Sequence, residues 1–338
     1  MAEYGRRGMV AMKFLIVGGG SIGKRHLKNL LSLGQDVAVC EPFKDRAQKI
    51  ADEFHVPVFN SLTEGLEQPF DAVLITNPNS CHLETALEAA RAGCHLFIEK
   101  PLSHSLEGVD ELIALTEAKK IKTLLGCNWK FHKSFKLMKS MIDQKKIGKI
   151  LSFSVVAGWY LPDWHPWEDY RKSYSANKSL GGGILLDSHE FDYIQWFLGP
   201  IKHLACFSGT YSSLEIDTED IAAVLIETRD RLIGTLHIDY IQHPNRRTYQ
   251  FYGERGAIEW SFKEKKIKVI SPDQEEWQVI EEDPDYEFNE MYVDEMKHFI
   301  DVLNGKTESI SDIYVAKQIL QVIEAAKNAS ESRTVVNV

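Results

Sequence analysis

Along the first third of the chain, short apolar runs alternate with stretches whose apolar positions recur every three or four residues. Phe14–Val17, Asp36–Cys40, Val56–Phe59, Asp71–Thr76, His95–Ile98 and Thr123–Cys127 are each too short for a helix and are continuously apolar, the pattern of strands buried on both faces. Between them, a helical pattern follows Gly23, and further helices are expected over Asp45–Phe54, Leu62–Leu66, Cys81–Ala92 and Leu106–Lys119, with Gly93 as a stop signal. Such alternation implies a parallel sheet with right-handed crossovers. Asn128–Ile147 reads as a polar turn and an amphipathic helix that bridges to a second region. There the period changes to two: Ile150–Gly158 alternates, and between Lys202 and Val279 six strand-like runs are joined by short turns, which implies an antiparallel sheet. Asn289–Leu303 and Ile313–Lys327 return to helical spacing.

A chain of 338 residues exceeds what one core usually supports, so two domains are expected. The pattern divides them at residues 12–128, α/β with a parallel sheet, and 129–338, α+β with a large, mostly antiparallel sheet. Residues 1–11 contain Met9, with Met12 directly after, lack a signal-peptide apolar core and read as an upstream start or a disordered extension.

The chemistry starts where the first strand ends. Gly18, Gly20 and Gly23 stand at the G-x-G-x-x-G spacing between a strand and a helix, with Ser21 and Ile22 leading into that helix. Gly18 suits a tight turn, Gly20 a close approach of backbone to a pyrophosphate, and Gly23 close helix–strand packing, while N–H groups at the helix start face phosphate charge. Glu41 ends the second strand, where a carboxylate accepts bonds from ribose hydroxyls and repels a 2′-phosphate. NAD is therefore the expected cofactor, with Lys44 and Arg46 nearby leaving NADP possible. Two more polar clusters follow strand ends: Thr76-Asn77-Pro78, and Glu99-Lys100 before Pro101. A long cation fixed by a proline after a buried strand suits chemistry, because desolvation readily shifts a lysine pKa.

In the second region, 159–171 mixes three of the seven tryptophans with prolines, acids and bases. It is either a loop packed by its own aromatics or a pocket wall, with Trp164, His165 and Arg171 as candidate substrate contacts. Downstream of Gly181-Gly182-Gly183, His189, Asp192, Tyr193 and Trp196 share a helix face. Asp187 and Asp192 are both candidate orienters of His189, and Asp187 also fits a helix N-cap. His237, Tyr240, His243 and Arg246-Arg247 lie at or after one strand end, and one of them is expected to reach the pocket.

The formal net charge of −10 argues against binding nucleic acid through bulk attraction, and no apolar run is long enough to span a bilayer. Five scattered cysteines lack zinc or disulfide spacing, so no metal is expected and a reducing, cytoplasmic setting is.

GGGSIG, TNPNSCH, GCHLFIEKPL and GGGILLDSHEFDYIQWFLG together resemble the Gfo/Idh/MocA oxidoreductases, the glucose–fructose oxidoreductase and inositol dehydrogenase group, over nearly the whole chain from Met12. The resemblance implies a Rossmann domain followed by an α+β domain, a cis Lys100–Pro101 bond, and Lys100 contacting both substrate and nicotinamide. It implies His189 as the catalytic base and the second sheet as the interface of a homodimer or homotetramer. The activity implied is NAD(P)-dependent hydride transfer to or from a secondary alcohol of a sugar or sugar derivative; a redox lyase, a non-sugar carbonyl reductase and a cofactor-sensing regulator share the same two domains. Two departures stand out: Lys130 replaces a usual Arg, and Leu185 occupies the position four before His189 where the family commonly has Asp.

Overall fold

The structure is a computed structural model that describes residues 11–272 and 274–338. The expected extension 1–11 thus lies outside the described residues except for Ala11. The chain forms two compact units.

The first unit comprises 11–99, 108–126 and 292–313. Its strands are β1 (Lys13–Val17), β2 (Asp36–Cys40), β3 (Val58–Phe59), β4 (Ala72–Ile75), β5 (His95–Ile98) and β6 (Thr123–Leu125), all parallel, in the order 3-2-1-4-5-6. That order is the Rossmann arrangement, in which β1 and β4 flank the point where the winding reverses. The crossovers hold α1 (Ser21–Ser32), α2 (Lys44–Phe54), α3 (Leu62–Leu66), α4 (His82–Arg91) and α5 (Val109–Lys119). Phe14, Ile16, Leu74 and Phe97 are fully buried, as continuous apolar strands require.

The linear division at residue 128 does not hold for 292–313. In the later helix Glu290–Leu303, Met296, Phe299, Ile300 and Leu303 form an i, i+3, i+4, i+7 stripe that packs into the core of the parallel sheet. Phe299 sits 6.4 Å from Phe14 and 5.7 Å from Phe97, ring centre to ring centre. Apolar spacing marks this segment as a helix, but only tertiary packing selects the sheet it covers.

The second unit comprises 100–107, 127–291 and 314–338. Its sheet contains β7 (Ile150–Gly158), β8 (Ile201–Gly209), β9 (Ile221–Thr228), β10 (Ile233–Asp239), β11 (Arg246–Gly253), β12 (Gly256–Ser261), β13 (Lys266–Ile270), β14 (Gln278–Glu281) and β15 (Val336–Asn337). The nine strands run in the order 14-13-12-11-7-10-9-8-15, and every pairing is antiparallel except β7 with β10. One face is covered by α6 (Lys133–Asp143) and by α8 (Glu190–Leu198), which follows the single-turn α7 (Ile184–Asp187). Alternate strand residues such as Tyr249, Phe251 and Trp260 meet Phe135 and Phe197 there, at ring separations of 5.0–5.1 Å for Phe135–Tyr249, Phe135–Trp260 and Phe197–Phe251. The other face leaves Leu151, Phe207, Leu225 and Ile233 exposed.

Candidate active site

The first unit brings the glycine segment against the ends of β4 and β5. Gly18 adopts φ +105°, and a Cβ there would fall 2.8 Å from the backbone of Thr76 and Asn77. A Cβ on Gly23 would lie 2.0 Å from the Gly18 carbonyl, so both positions demand glycine for the reasons expected. Gly20 caps α1 without a side-chain bond, and a Cβ on it would meet nothing within 4 Å. The first N–H groups of α1 therefore open onto free space, which suits an anion.

The Thr76 hydroxyl is directed to the carbonyls of Val17 (3.0 Å) and Gly18 (2.8 Å), so its proton holds the loop. Asn77 donates to Thr85 Oγ1 (2.8 Å) and leaves its own Oδ1 buried without a partner, an acceptor fit for a ligand donor. Pro78 caps the turn Asn79–Cys81. Glu41 is buried beneath the loop: Oε2 accepts from Gly19 N–H (2.9 Å) and Arg46 (3.3 Å), and Oε1 from Phe43 N–H (3.0 Å). Glu99 Oε1 meets Nε2 of the fully buried His26 at 2.7 Å. An orphaned acceptor, an uncapped helix start and a glycine cradle open above it fit the diphosphate and ribose of NAD.

The second unit assembles the remaining candidates. The Lys100–Pro101 peptide is cis. Lys100 Nζ donates to the Asp187 carbonyl at 2.5 Å and lies 3.7 Å from Asp187 Oδ1. Asp187 Oδ2 accepts from the Tyr240 hydroxyl at 2.5 Å, while Oδ1 has no hydrogen-bond partner. Asp187 ends α7 and is not the cap of α8, whose N-cap position is His189; the Ser188 hydroxyl accepts from Glu190 N–H (3.1 Å).

His189 opens α8, and neither expected carboxylate orients it. Its Nδ1 pairs with the Tyr193 hydroxyl at 3.1 Å, and the two rings stack 5.6 Å apart within 5° of parallel. Tyr193 also accepts from the Trp129 backbone N–H (3.3 Å). Asp192 instead takes Lys130 at 2.6 Å in a buried ion pair, which gives Lys130 a structural partner. One helical turn puts residues 192 and 193 on the same face as 189, so spacing could not choose between them; the tertiary position of Lys130 does. Burial first, then the positive charges of Lys100 and Arg247, hold the His189 imidazole well below its ordinary pKa. It is neutral at pH 7. Arg247, on β11, is buried against Trp129 (4.2 Å to the ring centre) and paired with Glu190 at 2.5 Å.

The loop 159–171 is mostly self-packed. Trp164 donates to the Trp159 carbonyl (3.3 Å), and His165 lies edge-on to Trp167 at 5.4 Å. Arg171 is forked by Asp169 (2.8 and 3.1 Å) and bonded to Glu215 (2.8 Å), so carboxylates hold the guanidinium of this candidate substrate contact. Of the three candidate substrate contacts, Trp164 meets Tyr240, ring to ring at 5.4 Å. Tyr240, bonded to Asp187, and Arg247, whose charge acts on His189, border the candidate site. Their place at the ends of β10 and β11 was the only signal.

Fold and site define an oxidoreductase that uses a nicotinamide dinucleotide. Residues 12–126 match the oxidoreductase family with an NAD-binding Rossmann fold, and residues 135–259 match the GFO/IDH/MocA C-terminal domain. The chain belongs to that family, and its cofactor is NAD. It is 25% identical to myo-inositol 2-dehydrogenase of Thermotoga maritima, with 96% of this chain and 98% of the relative covered. It is 27% identical to scyllo-inositol 2-dehydrogenase (NAD(+)) of Bacillus subtilis over 88% of each. Among solved structures, levoglucosan dehydrogenase in complex with NADH superposes with a TM-score of 0.88 at 20% identity, covering 97% of this chain and 99% of the other. The WlbA dehydrogenase of Bordetella pertussis, in complex with NADH and UDP-GlcNAcA, gives 0.83 at 21% identity, covering 97% and 99%. No helix of the described residues is long and apolar enough to cross a membrane.

Proposed function

We propose that the protein oxidises a secondary alcohol of a sugar or polyol to a ketone, with Lys100 and His189 as its catalytic residues. The observation that carries this reading is the anchored pair of Lys100 and a neutral His189 within one unit. NAD, when bound, accepts the hydride from the alcohol carbon. Gly18, Gly20, Ser21, Ile22, Gly23, Asn77 and Glu99 would hold it, and Glu41 shapes the loop beneath. Lys100, steadied by the Asp187 carbonyl, presents its ammonium to the reacting oxygen and stabilises the alkoxide. With Nδ1–H donated to Tyr193, the Nε2 lone pair of His189 is free to take the hydroxyl proton. The charge of Lys100 that depresses the imidazole also keeps it unprotonated and ready.

The names of the inositol dehydrogenase relatives support a polyol-like substrate. Trp164 offers an apolar face beside Tyr240 for the C–H side of such a ring. The exposed apolar residues of the nine-stranded sheet support assembly of two or four copies through that face. Five free cysteines support a reducing, cytoplasmic setting.

The test is a screen of inositols, free sugars and nucleotide-linked sugars for NADH production. Lys100→Met should lower kcat by on the order of 10²-fold or more while sparing NAD binding. Retention of most of the turnover in that variant would remove Lys100 from the chemistry.

A further inference from the structure

The second unit contains a cavity of about 360 Å³ whose walls include Trp129, Phe262, Tyr286, Phe288 and Arg247. Phe262 and Phe288 both stand 5.7 Å from Trp129 at 73° to it, and 6.4 Å from each other at 70°, so three rings pack edge to face into one aromatic wall. Arg247 lies over Trp129, and its Nε is buried without a hydrogen-bond partner. Glu282 also borders the cavity, its Oε1 accepting from Ser134 (2.6 Å) and from Trp260 Nε1 (3.1 Å). At the rim, Arg246 and Lys265 are exposed, and among the described residues neither makes an ion pair. Lining with aromatic faces and an excess of unengaged cationic donors recognises an apolar ring that carries an anion.

We propose that this cavity is a binding site for an organic anion with a ring body, of the aryl phosphate or aryl carboxylate type. The ring packs against the wall formed by Trp129, Phe262 and Phe288, and the anion takes the donors of Arg247, Arg246 and Lys265. Trp129 ties the cavity to the chemistry, since its backbone N–H holds the hydroxyl of Tyr193 that meets His189. The site does not depend on the alcohol oxidation proposed above.

Phenyl phosphate is the probe, titrated calorimetrically into the full-length protein at low salt without NAD. We expect one site with Kd below ~1 mM, weakened about tenfold or more in the Arg246→Ala/Lys265→Ala double variant. Both residues are exposed, so that variant folds. Inorganic phosphate, which lacks the ring, should bind about tenfold or more weakly than phenyl phosphate. Lys100→Met should bind the probe as the wild type does, which separates this site from the catalytic reading. Absence of binding, an undiminished affinity in the double variant, or equal affinity for inorganic phosphate would each overturn the proposal. Competitive inhibition of turnover by phenyl phosphate would assign the anion to the substrate itself, and non-competitive inhibition to a separate effector; both uphold the site.

Discussion

Tyr193→Phe isolates the group that orients the base. The ring is fully buried and remains in the variant, so its edge contact with Phe135 at 5.5 Å persists. Only the hydroxyl is lost, and with it the partners of Trp129 N–H and His189 Nδ1. A buried polar group left unpaired costs about 1–3 kcal/mol. The Trp129 bond is long, at 3.3 Å, so the total fall in stability should lie within that range rather than double it. For turnover, losing one neutral positioning bond of about 1–1.5 kcal/mol corresponds to roughly 5- to 15-fold in kcat, with KM little changed. Burial, Lys100 and Arg247 still disfavour the imidazolium, so the acidic limb of kcat/KM should stay below about pH 6.5 in both proteins. Steady-state kinetics from about pH 5 to 8, beside urea unfolding, give all these readouts. If kcat stays within about twofold while stability falls, Tyr193 is a packing residue only. A limb that rises to the ordinary histidine value would mean that the phenol, and not the two cations, sets the basicity.

Three further outcomes follow from individual contacts. His132 caps α6 by accepting Ser134 N–H at 3.2 Å, and burial above all lowers its pKa from 6.5 to about 4. The unfolded state therefore binds the extra proton first: this stabilisation is complete above about pH 6.5 and is lost by about 1.4 kcal/mol per unit, some 3 kcal/mol in all, as pH falls towards 4. His132→Asn keeps a capping acceptor and should flatten the pH dependence of urea unfolding by that slope; an unchanged slope would refute the assignment. Arg171→Ala should leave the ratio of KM values for free and nucleotide-linked sugars unaltered, because Asp169 and Glu215 already occupy the guanidinium; a selective loss for the phosphate-bearing substrate would restore it to the pocket. Glu41→Ala should raise the Kd for NAD about tenfold or more by freeing Gly19 and Phe43 N–H; a gain for NADP larger than that loss would make charge repulsion the main role of the carboxylate.

The parallel sheet, the glycine turn and its helix, the nine-stranded sheet and the E-K-P lysine were all legible in the chain, because they rest on local period and on neighbours in sequence. Gly18 and Gly23 could be assigned their duties from spacing alone, since those duties are set by the strand and helix on either side. The partners of the site residues could not. Asp187, Asp192 and Tyr193 all lie within one turn of His189; helical spacing makes the last two its neighbours, and Asp187 is near it in sequence. Lys130 takes Asp192, Tyr240 and Lys100 take Asp187, and Tyr193 is left for the imidazole. These partners come from 53 to 87 residues away for the two carboxylates. Likewise, the stripe on Glu290–Leu303 declared a helix but not which sheet it would cover. Apolar period is a property of a segment, whereas the pairing of buried charges and the choice of packing partner depend on long-range contacts that exist only once the chain has folded.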